Sequence, residues 1–344
     1  MKLELARRVR HELAGLSTAG LDAASLTLEI ERQLRTVVPF DRACWHNVDP
    51  ATSIVTNVLG DSALDDRLLG VIEYADDDVN KYVRLARASR PAETLRHATW
   101  DVPAQSRRYR EVLQPMGLDD ELTASFVDSS AFWACARLYR VRGRPAFDRA
   151  EVAYLAALSP LLAESFRRAL LAESGKAAGE SAVAPGVVII DERDSVDAIT
   201  PAAEHWLDDL VDIPHARSGA LPAAVQVLAA STRALADGTD PIGTQLRSRV
   251  LSQSGRWLML QAGPLTDGRA GRVAVVITPA PSVETAPLII AAYGLTEREG
   301  QVVEHVVSGL SNKEISAALG VSRYTVGDHL KAIFEKVGVA SRGG

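Results

Sequence analysis

Three closely spaced helix starts, each followed by a stop, dominate the last fifty residues and leave them little freedom to fold differently. Thr296-Glu297-Arg298-Glu299 is a capping box, a Thr N-cap with Glu three residues on, in which each side chain can satisfy the other's free backbone N–H. Val302, Val303, Val306 and Leu310 follow at helical spacing, and Gly309 offers a left-handed stop. Ser311-Asn312-Lys313-Glu314 repeats the device, with Ile315, Ala318 and Leu319 expected to face inward until Gly320 ends the helix. Ser322 then caps a third helix, in which Val326, Leu330, Ile333, Phe334 and Val337 form one apolar stripe. Two short helices joined by a tight glycine turn, with a third behind them, describe a helix-turn-helix. The face opposite the stripe carries Arg323, Tyr324, Gly327, Asp328 and Lys331.

The preceding residues read as two α+β blocks. Residues 1–171 suggest helices at 2–13 and 22–38, then strands at 42–48 and 53–59 around the turn Asp49-Pro50-Ala51-Thr52. Helices near 64–76, 79–89 and 106–113, strands at 121–127 and 131–140, and a long helix at 148–172 containing Pro160 complete an α+β domain. Residues 182–280 read as strands 186–191 and 195–200, helices 201–209 and 221–236, and strands 243–252, 256–262 and 271–278. That order suits one five-stranded antiparallel sheet with helices on one face. Residues 286–344 are expected to be helical throughout. The small, polar stretch 172–181 and the proline-containing 279–285 read as linkers.

Composition narrows the function classes. A chain of 344 residues suggests two or three domains. Its net charge of −6 excludes a protein basic along its whole length, though acidic domains can dilute a small basic face. Two isolated cysteines, Cys44 and Cys135, form neither a disulfide framework nor a zinc cluster and point to a reducing compartment. No apolar run approaches membrane-spanning length, so a cytoplasmic protein without membrane contact is expected. His46, His97, His205 and His215 lack metal-ligand spacing, and Asp76-Asp77-Asp78 reads as the exposed end of a helix rather than a phosphoacceptor. Without a nucleotide loop, a nucleophile elbow or a metal cluster, the chain reads as a non-enzyme needing no cofactor.

The C-terminal residues carry a family resemblance. Gly294-Leu295-Thr296-Glu297-Arg298-Glu299, Gly309-Leu310-Ser311-Asn312-Lys313-Glu314-Ile315 and Val321-Ser322-Arg323-Tyr324-Thr325-Val326-Gly327-Asp328-His329-Leu330-Lys331 resemble the LuxR-type helix-turn-helix of bacterial transcription regulators. The resemblance implies double-stranded DNA as partner, with RNA polymerase a further one. It implies Lys313 and Arg323 near phosphates, Ser322, Tyr324 and Thr325 at the helix start, and Asp328 and Lys331 at base edges. Gly327 departs from the family, which usually holds a longer polar or basic residue there. The family also continues into a fourth, dimer-supporting helix beyond the position of Arg342.

Val38-Pro39-Phe40-Asp41, Cys44-Trp45 and Ser106-Arg107-Arg108-Tyr109-Arg110 make the first block resemble the GAF-type sensor of actinobacterial LuxR-type regulators. Gly186-Val187-Val188-Ile189-Ile190-Asp191 and Thr200-Pro201-Ala202-Ala203-Glu204 make the second similar to a PAS domain. The expected fold is therefore multidomain: an α+β GAF-like domain, an α+β PAS-like domain and an all-α helix-turn-helix domain. Both sensor types imply a small-molecule effector, for which Cys44, Trp45, Phe126, Phe132, Trp133 and Cys135 are the pocket candidates, with core packing the competing role. The expected function is a ligand- or partner-modulated, homodimeric DNA-binding regulator. The alternative is a non-enzymatic signalling adaptor using the same domains to hold protein partners.

Overall fold

The computed structural model describes residues 3–60, 66–74, 76–128, 131–174, 184–210, 221–236, 246–266, 271–337, 339 and 341. The chain forms two compact units, Met1–Pro279 and Ala280–Gly344. Residues 175–181 of the expected linker, His215 and Arg342 lie outside the described residues. No helix among the described residues is long and apolar enough to cross a membrane.

The larger unit begins with α1 (Leu3–Leu16) and α2 (Ala23–Leu34), the latter capped by Asp22, which accepts the Ser25 N–H. Then come β1 (Arg42–Asp49), β2 (Ile54–Val55), β3 (Leu59–Gly60), α3 (Asp66–Tyr74), α4 (Tyr82–Ala86), β4 (Ala92–Thr94) and α5 (Leu95–Ala98). β5 (Leu118–Val127), β6 (Phe132–Val141) and the long α6 (Arg149–Ser174) follow. The strands make one antiparallel sheet in the order β2-β1-β6-β5-β4, with β3 also on β1. α6 packs on β4, β5 and β6 together with α1 and α2. Helices on one face and the rest of the unit on the other leave β6 buried from Phe132 to Arg140.

Four features depart from the sequence reading. The strand expected at 53–59 divides into β2 and β3, because Asn57 turns to its neighbour and accepts the Asn47 N–H through its side chain. The helix expected at 106–113 is a single π turn at Tyr109–Leu113, after Asp78 takes the Ser106 hydroxyl and the Arg108 N–H. β4 and α5 were not anticipated; three and four residues are too short for periodicity to reveal. Asp76–Asp78 is not an exposed helix end, since α3 stops at Tyr74 and Asp78 is buried against Arg108.

A second antiparallel sheet continues the same unit. β7 (Gly186–Ile190), β8 (Val196–Ile199), α7 (Pro201–Asp209), α8 (Ala223–Ala236), β9 (Arg247–Leu251), β10 (Trp257–Pro264) and β11 (Val273–Pro279) follow in order. The sheet order is β8-β7-β11-β10-β9. Gly186 is required by close approach: a Cβ there would stand 2.6 Å from Ala203 Cα. α8 packs against β9, β10 and β11 and also against α3 and β2. The two sheets share one core, in which Val48, Val55, Tyr74 and Phe132 cluster with Trp206, Val227, Leu228 and Leu258. Asp49, 1% exposed, ties them further by accepting the Arg249 N–H and pairing with its guanidinium at 2.5 Å.

The smaller unit is helical among its described residues: α9 (Ser282–Ala292), α10 (Glu297–Val307), α11 (Asn312–Leu319) and α12 (Arg323–Val337). α9 starts four residues before the block boundary expected at 286. It sits tightly on α10, where a Cβ on Gly300 would come within 3.0 Å of Ile290. Val302, Ile315, Val326, Leu330 and Ile333 form the buried core, flanked by Leu310, Leu319, Phe334 and Val337.

Candidate functional site

The local chemistry of the smaller unit fixes where α12 points. Both capping boxes form: Thr296 accepts the Glu299 N–H while Glu299 accepts the Thr296 N–H at 2.6 Å, and Ser311 and Glu314 do the same. Gly320 takes the left-handed conformation, φ 64°, at the end of α11. Ser322 accepts the Thr325 N–H at 3.0 Å and so caps α12. Ala318 is exposed, contrary to its expected inward role; Ser316 holds the turn instead, donating its hydroxyl to the Val321 carbonyl.

With Val326, Leu330 and Ile333 in the core, the opposite side of α12 is free. Ser322, Arg323, Tyr324, Gly327, Asp328 and Lys331 are all exposed, Thr325 is half-buried, and Lys313 at the start of α11 is exposed as well. Tyr324 is 87% exposed. Neither Lys313, Arg323 nor Lys331 forms an ion pair within the described residues, so their charges are available to a polyanion. Nothing lies within 4 Å of a Cβ built on Gly327, so this point of the face is open. The structure thus brings seven of the eight residues onto one end and one side of α12, with Lys313 on the helix before it.

Two supports were missed in the sequence. Arg298 donates to the Leu319 carbonyl at 2.6 Å, steadying the turn between α11 and α12. Lys336 pairs with Glu299 at 2.6 Å. Burial alone would raise the Glu299 pKa, but the Lys336 ammonium and the Thr296 N–H outweigh it and hold it low. The capping-box glutamate therefore also anchors the far end of α12.

The pocket candidates of the larger unit fall into separate environments. Trp45 and Phe126 stack at 5.6 Å between ring centroids, Phe166 of α6 joins them, and the Trp45 indole donates to Glu31. Phe132 and Cys135 join the core shared by the sheets, and Trp133 is buried. Cys44 instead lines a chamber of about 30 Å³ beneath α8, with His46, Glu73, Tyr82, Arg137, Tyr139 and Val227 among its walls. Arg137 and Tyr139, two residues apart on β6, were the available signal for the polar wall.

The chamber's ionisable groups are held in definite states. His46 faces the Asn57 carbonyl through Nδ1 and Cys44 Sγ through Nε2 at 3.3 Å. A carbonyl only accepts, so Nδ1 carries the proton and Nε2 faces the thiol. Burial and the Arg137 guanidinium push the His46 pKa down to about 3, so the imidazole is neutral and a poor base for Cys44. Arg137 pairs with Glu73 at 2.5 Å and lies over the Tyr82 ring. Arg108 pairs with Glu121 at 2.9 Å, and Lys81 donates to the Ile72 and Glu73 carbonyls at the end of α3. Among the described residues, no cluster of His, Cys, Asp and Glu is arranged to hold a metal ion.

Among solved structures, the chain is similar to three with sequence identities of 15–17%. The phage VqmA–DPO complex has 17% identity over 46% of this chain and 78% of that one, with a TM-score of 0.19. PelD from Pseudomonas aeruginosa PAO1 has 15% identity over 83% and 81%, with a TM-score of 0.31. The E. coli DhaR(N)–DhaL complex has 16% identity over 81% and 91%, with a TM-score of 0.21. At such TM-scores these likenesses carry no argument. Residues 294–343, in contrast, match the family described as "Bacterial regulatory proteins, luxR family" over the whole helix-turn-helix, and the C-terminal unit therefore carries a helix-turn-helix domain of the luxR family.

Proposed function

We propose that the chain is a cytoplasmic, sequence-specific DNA-binding transcription regulator. The observation that carries this reading is the exposed, unpaired polar side of α12 within a luxR-family segment. In this reading Lys313 and Arg323 neutralise phosphates, Ser322, Tyr324 and Thr325 touch the backbone near the helix start, and Asp328 and Lys331 read base edges. Residues 294–344 hold six Lys/Arg and six Asp/Glu, so one copy has little net attraction for DNA. The regulator accordingly binds paired half-sites as a homodimer.

Residues 1–171 and 182–280 act as GAF-like and PAS-like sensor halves of the larger unit. An effector bound there changes DNA affinity only to the extent that it prefers one arrangement of the protein over another. Genome-wide mapping of bound sites tests the reading. Enriched sites sharing a two-half-site motif, reproduced in gel shifts with purified protein, are expected. An absence of enriched sites, with only protein partners captured, would favour the adaptor function instead.

A further inference from the structure

Three residues lining the chamber beneath α8, Tyr82, Arg137 and Tyr139, each have a buried donor without a hydrogen bond, and the last two share the β6 wall. Tyr139 is fully buried and its hydroxyl has no partner. Arg137 donates to Glu73 through a terminal nitrogen, but its Nε, 3.7 Å from Glu121, makes no hydrogen bond. Buried donors in native proteins nearly always meet an acceptor, so two on one wall call for one. The surrounding charges balance, with Glu73, Asp78 and Glu121 facing Lys81, Arg108 and Arg137 in one network. An added ion of either sign would upset that balance, whereas a neutral acceptor would not. Val55, Val58, Leu69 and Val227 supply an apolar wall for a short carbon skeleton.

We propose that this chamber is a binding site for a small uncharged molecule that presents a carbonyl-type oxygen to Tyr139 and Arg137. This rests on the sensor reading of the larger unit and gives it a location. About 30 Å³ admits a group of one or two heavy atoms, so a ligand that enters whole, acetamide included, displaces α8, whose Ala223 and Val227 line the chamber. Because α8 also packs on the second sheet, occupancy is felt by both halves of the unit.

The test uses the full chain and acetamide as probe, with acetate as the charged control, followed by saturation-transfer NMR. Acetamide is expected to bind at least tenfold more tightly than acetate. Tyr139→Phe, which keeps the ring and removes the donor, is expected to weaken acetamide about tenfold. Val227→Met, which fills the chamber from α8, is expected to abolish binding while leaving the thermal unfolding midpoint unchanged or raised. Should Tyr139→Phe fail to fold, Val227→Met decides. No acetamide binding, as when water alone meets the donors, or binding indifferent to both substitutions overturns the proposal. DNA binding measured on the same samples keeps the two readings apart: no acetamide binding by the wild-type chain while DNA binding is intact sinks the chamber alone.

Discussion

Acidification from about pH 7.5 to about pH 5 is expected to remove roughly 2 kcal/mol from the larger unit through His46 alone. The side chain is 8% exposed, and burial with the Arg137 guanidinium lowers its pKa to about 3. In the unfolded chain an imidazole protonates near pH 6.5. The folded pKa lies below the unfolded one, so this stabilisation is complete above about pH 6.5 and is lost as pH falls towards about 3. At about pH 5 the unfolded state has gained a proton that the folded state refuses, and RT ln(1 + 10^1.5) gives roughly 2 kcal/mol. Asp120 works in the opposite direction. Burial raises its pKa from 3.8 to about 6, so the folded state binds its proton first. The same acidification returns about 1 kcal/mol through that group.

The two effects partly cancel in the wild type, and His46→Gln separates them. Glutamine stays neutral and retains an N–H for the Asn57 carbonyl. Urea unfolding followed by tryptophan fluorescence reads this unit alone, because all five tryptophans, Trp45, Trp100, Trp133, Trp206 and Trp257, precede its end at Pro279. Between the two pH values the wild type is expected to lose about 2 kcal/mol more than His46→Gln. Equal losses would refute the buried neutral imidazole.

Three further substitutions test the packing. Asp49→Ala removes the carboxylate that faces Arg249 between the two sheets and is expected to cost about 3 kcal/mol in the same fluorescence assay, whereas a cost near zero would mean that the pair does not hold the halves together. Gly186→Ala drives a methyl into the Ala203 backbone and should cost about 1–3 kcal/mol, with β7 and α7 losing amide protection together. Gly327→Ala meets no neighbour and removes a helix-interior glycine, so α12 amides should exchange about fivefold more slowly, the equivalent of about 1 kcal/mol. Faster exchange would show that the glycine is structurally required.

The smaller unit was the most legible part of the chain because its signals are local. Thr296 with Glu299, Ser311 with Glu314, Gly309 and Gly320 are start and stop devices confined to a few residues, and each is present in the structure. The second sheet was legible for the same reason, through the short apolar runs Val187–Ile190 and Val273–Ile277. What escaped notice depends on distant partners. The residues 223–236 carry a single charge, Arg233, and a helix apolar on nearly every side is one that two surfaces cover. That pattern signalled burial but not that the second surface was α3, more than a hundred residues earlier. The strand expected at 121–127 begins at Leu118, and its first residues were hidden by the acidic run Asp119-Asp120-Glu121. Those carboxylates are accommodated by Arg96, by the Phe147 N–H and by Arg108, partners that no window of sequence displays. The aromatic residues proposed to line a pocket illustrate the same limit, since hydrophobicity places Trp45 and Phe126 inside but does not say which face of the sheet receives them.

The most direct measurement of the DNA reading is the salt dependence of binding by the full chain to a duplex from its own promoter region, with and without Lys313→Ala and Arg323→Ala. If these side chains neutralise phosphates, each substitution lowers the slope of log K against log salt by about 0.9 per copy bound, weakening all sequences alike. If the wild-type chain ignores the duplex at low ionic strength, or if neither substitution changes the slope, the outward side of α12 does not meet DNA and the function proposed for the chain is wrong.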